Sequence, residues 1–207
     1  MNCPGGAVLN EGIDGGSNAA SAQGTVAHTI AHQLLTAGST PWTGNSVHQD
    51  GFYVEVDAEM IMHAHAYAGY VKSLGGWQRY EQRVSLEWLV PGVWGTADAV
   101  VFDIEHGDMH VVDFKYGAGV HVPVVDNWQL LIYALAALGP DNWLDIQRVH
   151  MHIHQPRMNN VAMWTVPVRA SSRTMVRRLT TVAPWARSRE SSRSPRRAGS
   201  RRTHART

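Results

Sequence analysis

The stretch Gly95–Tyr133, GTADAVVFDIEHGDMHVVDFKYGAGVHVPVVDNWQLLIY, decides how this chain is read. Thr96 to Ile104 and Met109 to Phe114 are rich in Val, Phe and Ile. The polar Glu105-His106-Gly107-Asp108 between them carries a glycine, so the pattern predicts a β-hairpin. Side chains alternate faces along a strand, so Asp113 and Lys115 point one way and Phe114 the other. Asp98 lies near the start of the first strand and Asp113 near the end of the second. An antiparallel pair sets those two ends side by side. Asp98, Asp113 and Lys115 are therefore expected together at one edge of a sheet. Gln129 and Tyr133 follow at i,i+4 spacing, on one face of a predicted helix.

The chemistry of that set is specific. Mg²⁺ and Mn²⁺ take oxygen ligands and are commonly held by one or two carboxylates plus water and substrate phosphate. A bound cation acidifies its water and neutralises charge on a scissile phosphate. A nearby lysine orients the attacking water and stabilises the developing charge. A lone D-x-K tripeptide is common, and its usual meaning is two solvent-facing strand residues. Here G-T-A-D on the preceding strand and Q-L-L-I-Y on the following helix raise its specificity.

With these motifs the chain resembles the PD-(D/E)XK nuclease superfamily, in particular the branch with RecB-type and Cas4-type exonuclease domains. It is most similar to a phage and prophage group of that branch. The motifs are Cys3-Pro4-Gly5, Gly24-Thr25-Val26-Ala27-His28, Gly95-Thr96-Ala97-Asp98, the run Asp113-Phe114-Lys115-Tyr116-Gly117-Ala118-Gly119-Val120, and Asn127-Trp128-Gln129-Leu130-Leu131-Ile132-Tyr133-Ala134. The resemblance covers roughly residues 1–168. It implies an α/β fold, restriction-endonuclease-like, with a mixed central sheet flanked by helices. It also implies a metal-dependent exonuclease acting on DNA in phage recombination or DNA processing, beside an annealing protein or helicase. Asp98 and Asp113 would hold Mg²⁺ or Mn²⁺ with His28, and Lys115 would be the catalytic lysine. Gln129 and Tyr133 would contact DNA, and the Phe114 carbonyl would add a metal ligand. Ala118 stands where relatives often carry a second lysine, which weakens the expected phosphate grip.

Other side chains have plainer readings. His28 and His32 share a helical face, but no zinc-protease glutamate lies between them, and His32 reads as structural. His150, His152 and His154 alternate along a strand with no carboxylate or cysteine in the row. They read as the wetter face of an edge strand rather than as metal ligands. His63 and His65 point to different helical faces. Glu55 and Glu59 read as solvated charge on one helix, and Glu81 as solvated charge on a strand. Trp77, Trp88, Trp94, Trp128 and Trp143 read as core or rim packing, with Trp128 a possible base-stacking platform.

The charge is divided sharply. Residues 1–168 carry six Lys or Arg against sixteen Asp or Glu, a formal −10. Residues 169–207 carry twelve Arg against one Glu, a formal +11, and the two give the chain its +1. The expected organisation is a nuclease-like domain over 1–168, C-terminally shortened relative to the family, then a basic tail over 169–207. The tail lacks Lys, Ile, Tyr and Phe, so it reads as disordered: a DNA-gripping arm, or, the favoured reading, a frameshifted end. Cys3 is the single cysteine, which rules out within this chain the four-cysteine iron–sulfur cluster of several relatives and fits a reducing cytoplasm, bacterial or phage-infected. No apolar run reaches membrane-spanning length, and no signal peptide opens the chain.

The predicted order of elements begins with helices at about 18–37 and 54–74. Strands follow at about 79–89, 95–104 and 109–115, then a helix at 125–138 and strands at 147–154 and 161–168. Two other function classes stay open on sequence: a non-catalytic DNA-binding scaffold with this fold, and a histidine-based metal store or sensor.

Overall fold

The computed structural model describes residues 18–90, 92–140 and 146–168. The Cys3-Pro4-Gly5 motif, Trp143 and the Arg-rich tail lie outside the described residues.

Helix α1 spans Ala19–Thr36 and opens on a capping box, in which the Asn18 side chain accepts from the Ser21 amide and Ser21 returns the bond. Ala22, Val26, Ile30 and Leu34 recur at i,i+4 and are buried, so one stripe of the helix faces the core.

The next segment departs from expectation. In place of a helix from Val54, strands β1 (Ser46–Gln49) and β2 (Phe52–Glu55) pair as an antiparallel hairpin. Asp50 and Gly51 turn it with φ of 51° and 87°, the left-handed pair that a two-residue hairpin turn requires. Helix α2 (Ala58–Ser73) starts only after Asp57, whose side chain caps the Met60 amide. Glu55 therefore sits on β2 and shares no helical face with Glu59.

Strands β3 (Trp77–Ser85), β4 (Trp94–Asp103), β5 (Asp108–Phe114), β6 (Arg148–Gln155) and β7 (Asn160–Pro167) form one sheet in that spatial order. All neighbours are antiparallel except β5 and β6. A parallel pair needs a crossover, and helix α3 (Trp128–Leu138) lies within it. The Asn127 side chain caps α3 at the Leu130 amide, and the helix begins three residues beyond the expected start. Gly76 precedes β3 at φ 62°, where an added Cβ would meet the Phe102 carbonyl oxygen at 2.6 Å; only glycine fits there.

The expected mixed central sheet flanked by helices is thus present. Met109 and Val111 of β5 pack in the layer beneath α3, while Val112 and Phe114 pack in the layer beneath α1 and α2. One row is corrected. The strand carrying His150, His152 and His154 is no wet edge: β6 pairs with β5 on one side and β7 on the other, and His152 and His154 are buried. Among the described residues, no helix is long and apolar enough to cross a membrane.

Candidate functional site

The alternation of faces breaks where the acidic residues meet. On β3, Tyr80 packs toward α1 and α2 whereas Val84 lies under α3; on β4, Ala99 and Ala97 divide the same way. Strict period-two alternation would keep each pair on one face. The switch falls at Glu81, whose φ of 46° is uncommon for any residue but glycine. The flanking pairs Tyr80↔Ala99 and Gln82↔Ala97 set Glu81 opposite Asp98. Such a conformation costs on the order of 1–3 kcal/mol and persists only where the surroundings enforce it.

Asp98 is anchored twice. Its Oδ2 accepts from the Phe114 amide at 2.7 Å, and its Oδ1 lies 3.3 Å from Nδ1 of His28 on α1. One ligand atom each from His28, Glu81 and Asp98 lies within 4.8 Å of the others, the one such trio of metal-ligating side chains among the described residues. Two carboxylates and an imidazole fit a Mg²⁺- or Mn²⁺-type cation by their chemistry. Asp113 stands outside the trio. Its buried carboxylate takes both contacts of Lys115 Nζ, 2.9 Å to Oδ2 and 3.1 Å to Oδ1. Only the bond to Oδ1 is well aligned, and Oδ2 is left buried without an aligned donor. Lys115 also donates to Gln129 Oε1 at 3.1 Å, and Gln129 Nε2 donates to Tyr133 Oη at 3.2 Å.

All six expected residues (His28, Asp98, Asp113, Lys115, Gln129 and Tyr133) are therefore joined in two linked groups at one end of β5. The close trio of ligand atoms contains Glu81 and not Asp113. Phe114 contributes its amide to Asp98. Glu81 was read as solvated charge and is half-buried instead, and Tyr67 on α2 is a residue that sequence reasoning passed over. Its ring stacks on Phe114 at 4.7 Å, and its hydroxyl is buried with no hydrogen-bond partner. Neither residue carries a motif; only the break in alternation, visible in three dimensions, marks Glu81. Trp77, Trp88 and Trp128 are exposed, so they serve as rim rather than core.

Burial is the largest influence on each titratable group here, and the neighbours decide the outcome. Burial disfavours the His28 imidazolium, but the charge and hydrogen bond of Asp98, aided by Asp113, lift it to about 9. Burial would raise Asp98, yet His28, Lys115 and the Phe114 amide hold it below the ordinary carboxylate value. Asp113 is pushed up to about 6 by burial and by Asp98, against the pull of Lys115. Burial would lower Lys115, but Asp113 and Asp98 raise it. Burial and Asp98 raise Glu81. The Tyr67 phenol lies well above its usual range through burial, with Asp98, Asp113 and Glu81 adding to the effect.

The other end of β5 holds a second cluster. Tyr70 Oη is 2.7 Å from Nδ1 of His152, and Nε2 of His152 is 3.0 Å from Nδ1 of His110. His110 stacks on His150 at 4.6 Å, and His150 Nε2 faces Asp108 Oδ1 at 3.3 Å. A carboxylate thus does accompany the histidine row. Burial, joined by neighbouring imidazoles, lowers His110 to about 4 and His152 to about 3.

A mixed five-stranded sheet carrying a metal-competent trio and a buried Lys–Asp pair defines the general class: an α/β protein built around a polar site at one strand end. The chain belongs to the family described as "Protein of unknown function (DUF2800)", which matches residues 1–200. A solved structure titled "Crystal structure of SSO0001" is similar at 18% identity and a TM-score of 0.34, over 60% of this chain and 57% of that one. The chain thus spans somewhat over half the length of that protein, and so distant a likeness bears on neither fold nor activity.

Proposed function

We propose that this chain is a Mg²⁺- or Mn²⁺-dependent deoxyribonuclease of the PD-(D/E)XK type. The observation that carries the reading is Lys115, fixed between Asp113 and Gln129 beside the trio His28, Glu81 and Asp98. The exonucleolytic direction, the setting in phage recombination or DNA processing, and an annealing protein or helicase as partner rest on the motif resemblance alone.

His28, Glu81 and Asp98 would hold the cation, which when bound would acidify a water and shield the phosphate charge. The remaining work belongs to side chains. Lys115, charged at neutral pH, would orient the attacking water and face the developing negative charge. Asp113 keeps that amine in place and charged. Gln129 limits its swing, and Tyr133 in turn fixes Gln129. His28 would shed its extra proton on becoming a ligand. Trp128, exposed beside Gln129 at the start of α3, offers a face for a base.

The test is cleavage of labelled linear single- and double-stranded DNA with Mn²⁺. The expected result is cutting by the native chain and loss of at least about 100-fold in Asp113→Ala and in Lys115→Ala. A second reading, a DNA-binding scaffold without chemistry, is favoured by one fact: the −10 balance over residues 1–168 leaves no broad basic groove to grip a substrate strongly. Equal DNA binding with no cutting in any version would establish it and overturn the first.

A further inference from the structure

The cluster at the far end of β5 pairs two imidazole nitrogens, though no three of its donor atoms lie as close together as those of the acidic trio. Nδ1 of His110 and Nε2 of His152 face each other at 3.0 Å. Two nitrogens on one tetrahedral zinc, each about 2.0–2.1 Å from it, stand about 3.3 Å apart. The pair therefore needs to open by a few tenths of an ångström, with each ring turning its lone pair off the N···N line toward the metal. The far nitrogen of His152 meets the Tyr70 hydroxyl at 2.7 Å, and that of His150 meets the Thr165 hydroxyl at 2.8 Å. This is the outer-shell arrangement that orients ligating imidazoles. It leaves His150 Nε2 on the inside, buried without an aligned hydrogen bond and 3.3 Å from Asp108 Oδ1.

We propose that His110, His150, His152 and Asp108 form a zinc-type transition-metal site, separate from the acidic trio and independent of the nuclease reading. His110 and His152 are the preset clamp. His150 and Asp108 complete four-coordination by side-chain rotation toward it. Imidazole donors select zinc, cobalt or nickel over Mg²⁺, the reverse of the carboxylate-rich trio at the other end. No net proton need leave the clamp. The hydrogen shared between the two rings gives way to the metal when His152 shifts its proton to the nitrogen facing Tyr70 and His110 carries its own on Nε2.

The experiment is calorimetric titration of the full chain with Zn²⁺, repeated with Co²⁺ to read tetrahedral visible bands. A His28→Ala background silences the trio. The expected result is one tightly held ion, lost in His110→Ala and in His152→Ala, and held about tenfold more weakly in Tyr70→Phe. Circular dichroism checks each variant for folding. His110 is half-buried, so His110→Gln decides the matter if the buried His152→Ala does not fold. Unchanged stoichiometry and affinity in the folded His110 variants, or no zinc binding by the native chain, would overturn the proposal.

Discussion

The two ends of strand β5 both gather buried titratable side chains, and burial leads them to opposite charge states. At the Asp113 end, opposite charges face one another. Desolvation opposes the His28 imidazolium there, but Asp98 outweighs it and the ring is held charged to about 9. At the Asp108 end, imidazoles face imidazoles. Desolvation meets no adequate counter-charge, and His110 and His152 stay neutral down to about 4 and about 3. Desolvation opposes the charged imidazole at both ends; the partner decides. One end holds a charged imidazole, while His110 and His152 at the other are neutral and offer lone pairs.

The largest expected effect would break the charged end at its most buried pair. Lys115→Met leaves the Asp113 carboxylate, 3% exposed, without its nearest counter-ion. Removing one partner of a buried ion pair costs about 3 kcal/mol or more. Without Lys115 the Asp113 carboxyl takes up its proton more readily still, so the loss should shrink as pH falls and be least below about 6, where even the native Asp113 is protonated. Urea unfolding at pH 8 and pH 5 measures both. An equal loss at the two values would mean that packing of the lysine stem, and not charge, holds this end together.

The second effect separates the two ends by the sign of their pH response. The folded-state value of His28 is raised, so its contribution to stability is complete below 6.5 and is lost as pH rises through about 9. His110 and His152 are lowered, so theirs is complete above 6.5 and is lost as pH falls toward about 4 and about 3. His28→Asn should flatten the alkaline limb of the stability profile and His152→Asn the acid limb. The same proton on His28 competes with a cation. Mn²⁺ affinity should therefore climb by up to about tenfold per pH unit between pH 7 and pH 9. A flat affinity would remove His28 from the ligand set.

What was legible in the sequence follows the same divide between local and distant causes. The β4–β5 hairpin was readable because Val- and Phe-rich runs flank a turn with Gly107, and its register carried Asp98, Asp113 and Lys115 to one place. Asp50-Gly51 is a hairpin-turn signal that the helix expected from 54 left unused; Phe52–Glu55 pairs as a strand before Asp57 caps the helix. Glu81 was not legible, since a left-handed backbone at a glutamate leaves no trace in composition. Nor was the histidine cluster. Arg148 to Gln155 alternates as a half-exposed strand would, but its rings are covered by Tyr70, 82 residues from His152 in sequence, and by neighbours on β5.

A third, smaller effect isolates the strain at the charged end. Glu81→Gly keeps the backbone turn and removes its conformational penalty, so the chain without cation should gain about 1 kcal/mol. Mn²⁺ affinity should fall in the same variant, because one of the three proposed ligands is gone. Stability rising while binding falls is the signature of a strained ligand. Stability falling instead would mean that Glu81 holds the sheet together through its side chain.

The smallest effect is expected where geometry looks best. Arg148 meets Asp108 through two nitrogens, at 2.7 and 2.9 Å, a shorter pair than Lys115 with Asp113. Its side chain is 49% exposed, so water already solvates the guanidinium and competes for the carboxylate. Arg148→Met should leave the urea midpoint at pH 8 unchanged within error, in contrast to Lys115→Met. The contact still matters to Asp108, whose carboxyl is held below its ordinary value first by this hydrogen bond and then by His150. Losing the arginine frees the Asp108 oxygens toward His150, so zinc affinity should hold or rise in Arg148→Met. A clear fall in stability there would show that exposure does not distinguish the two ends of β5, and that the length of a contact predicts its worth better than its burial does.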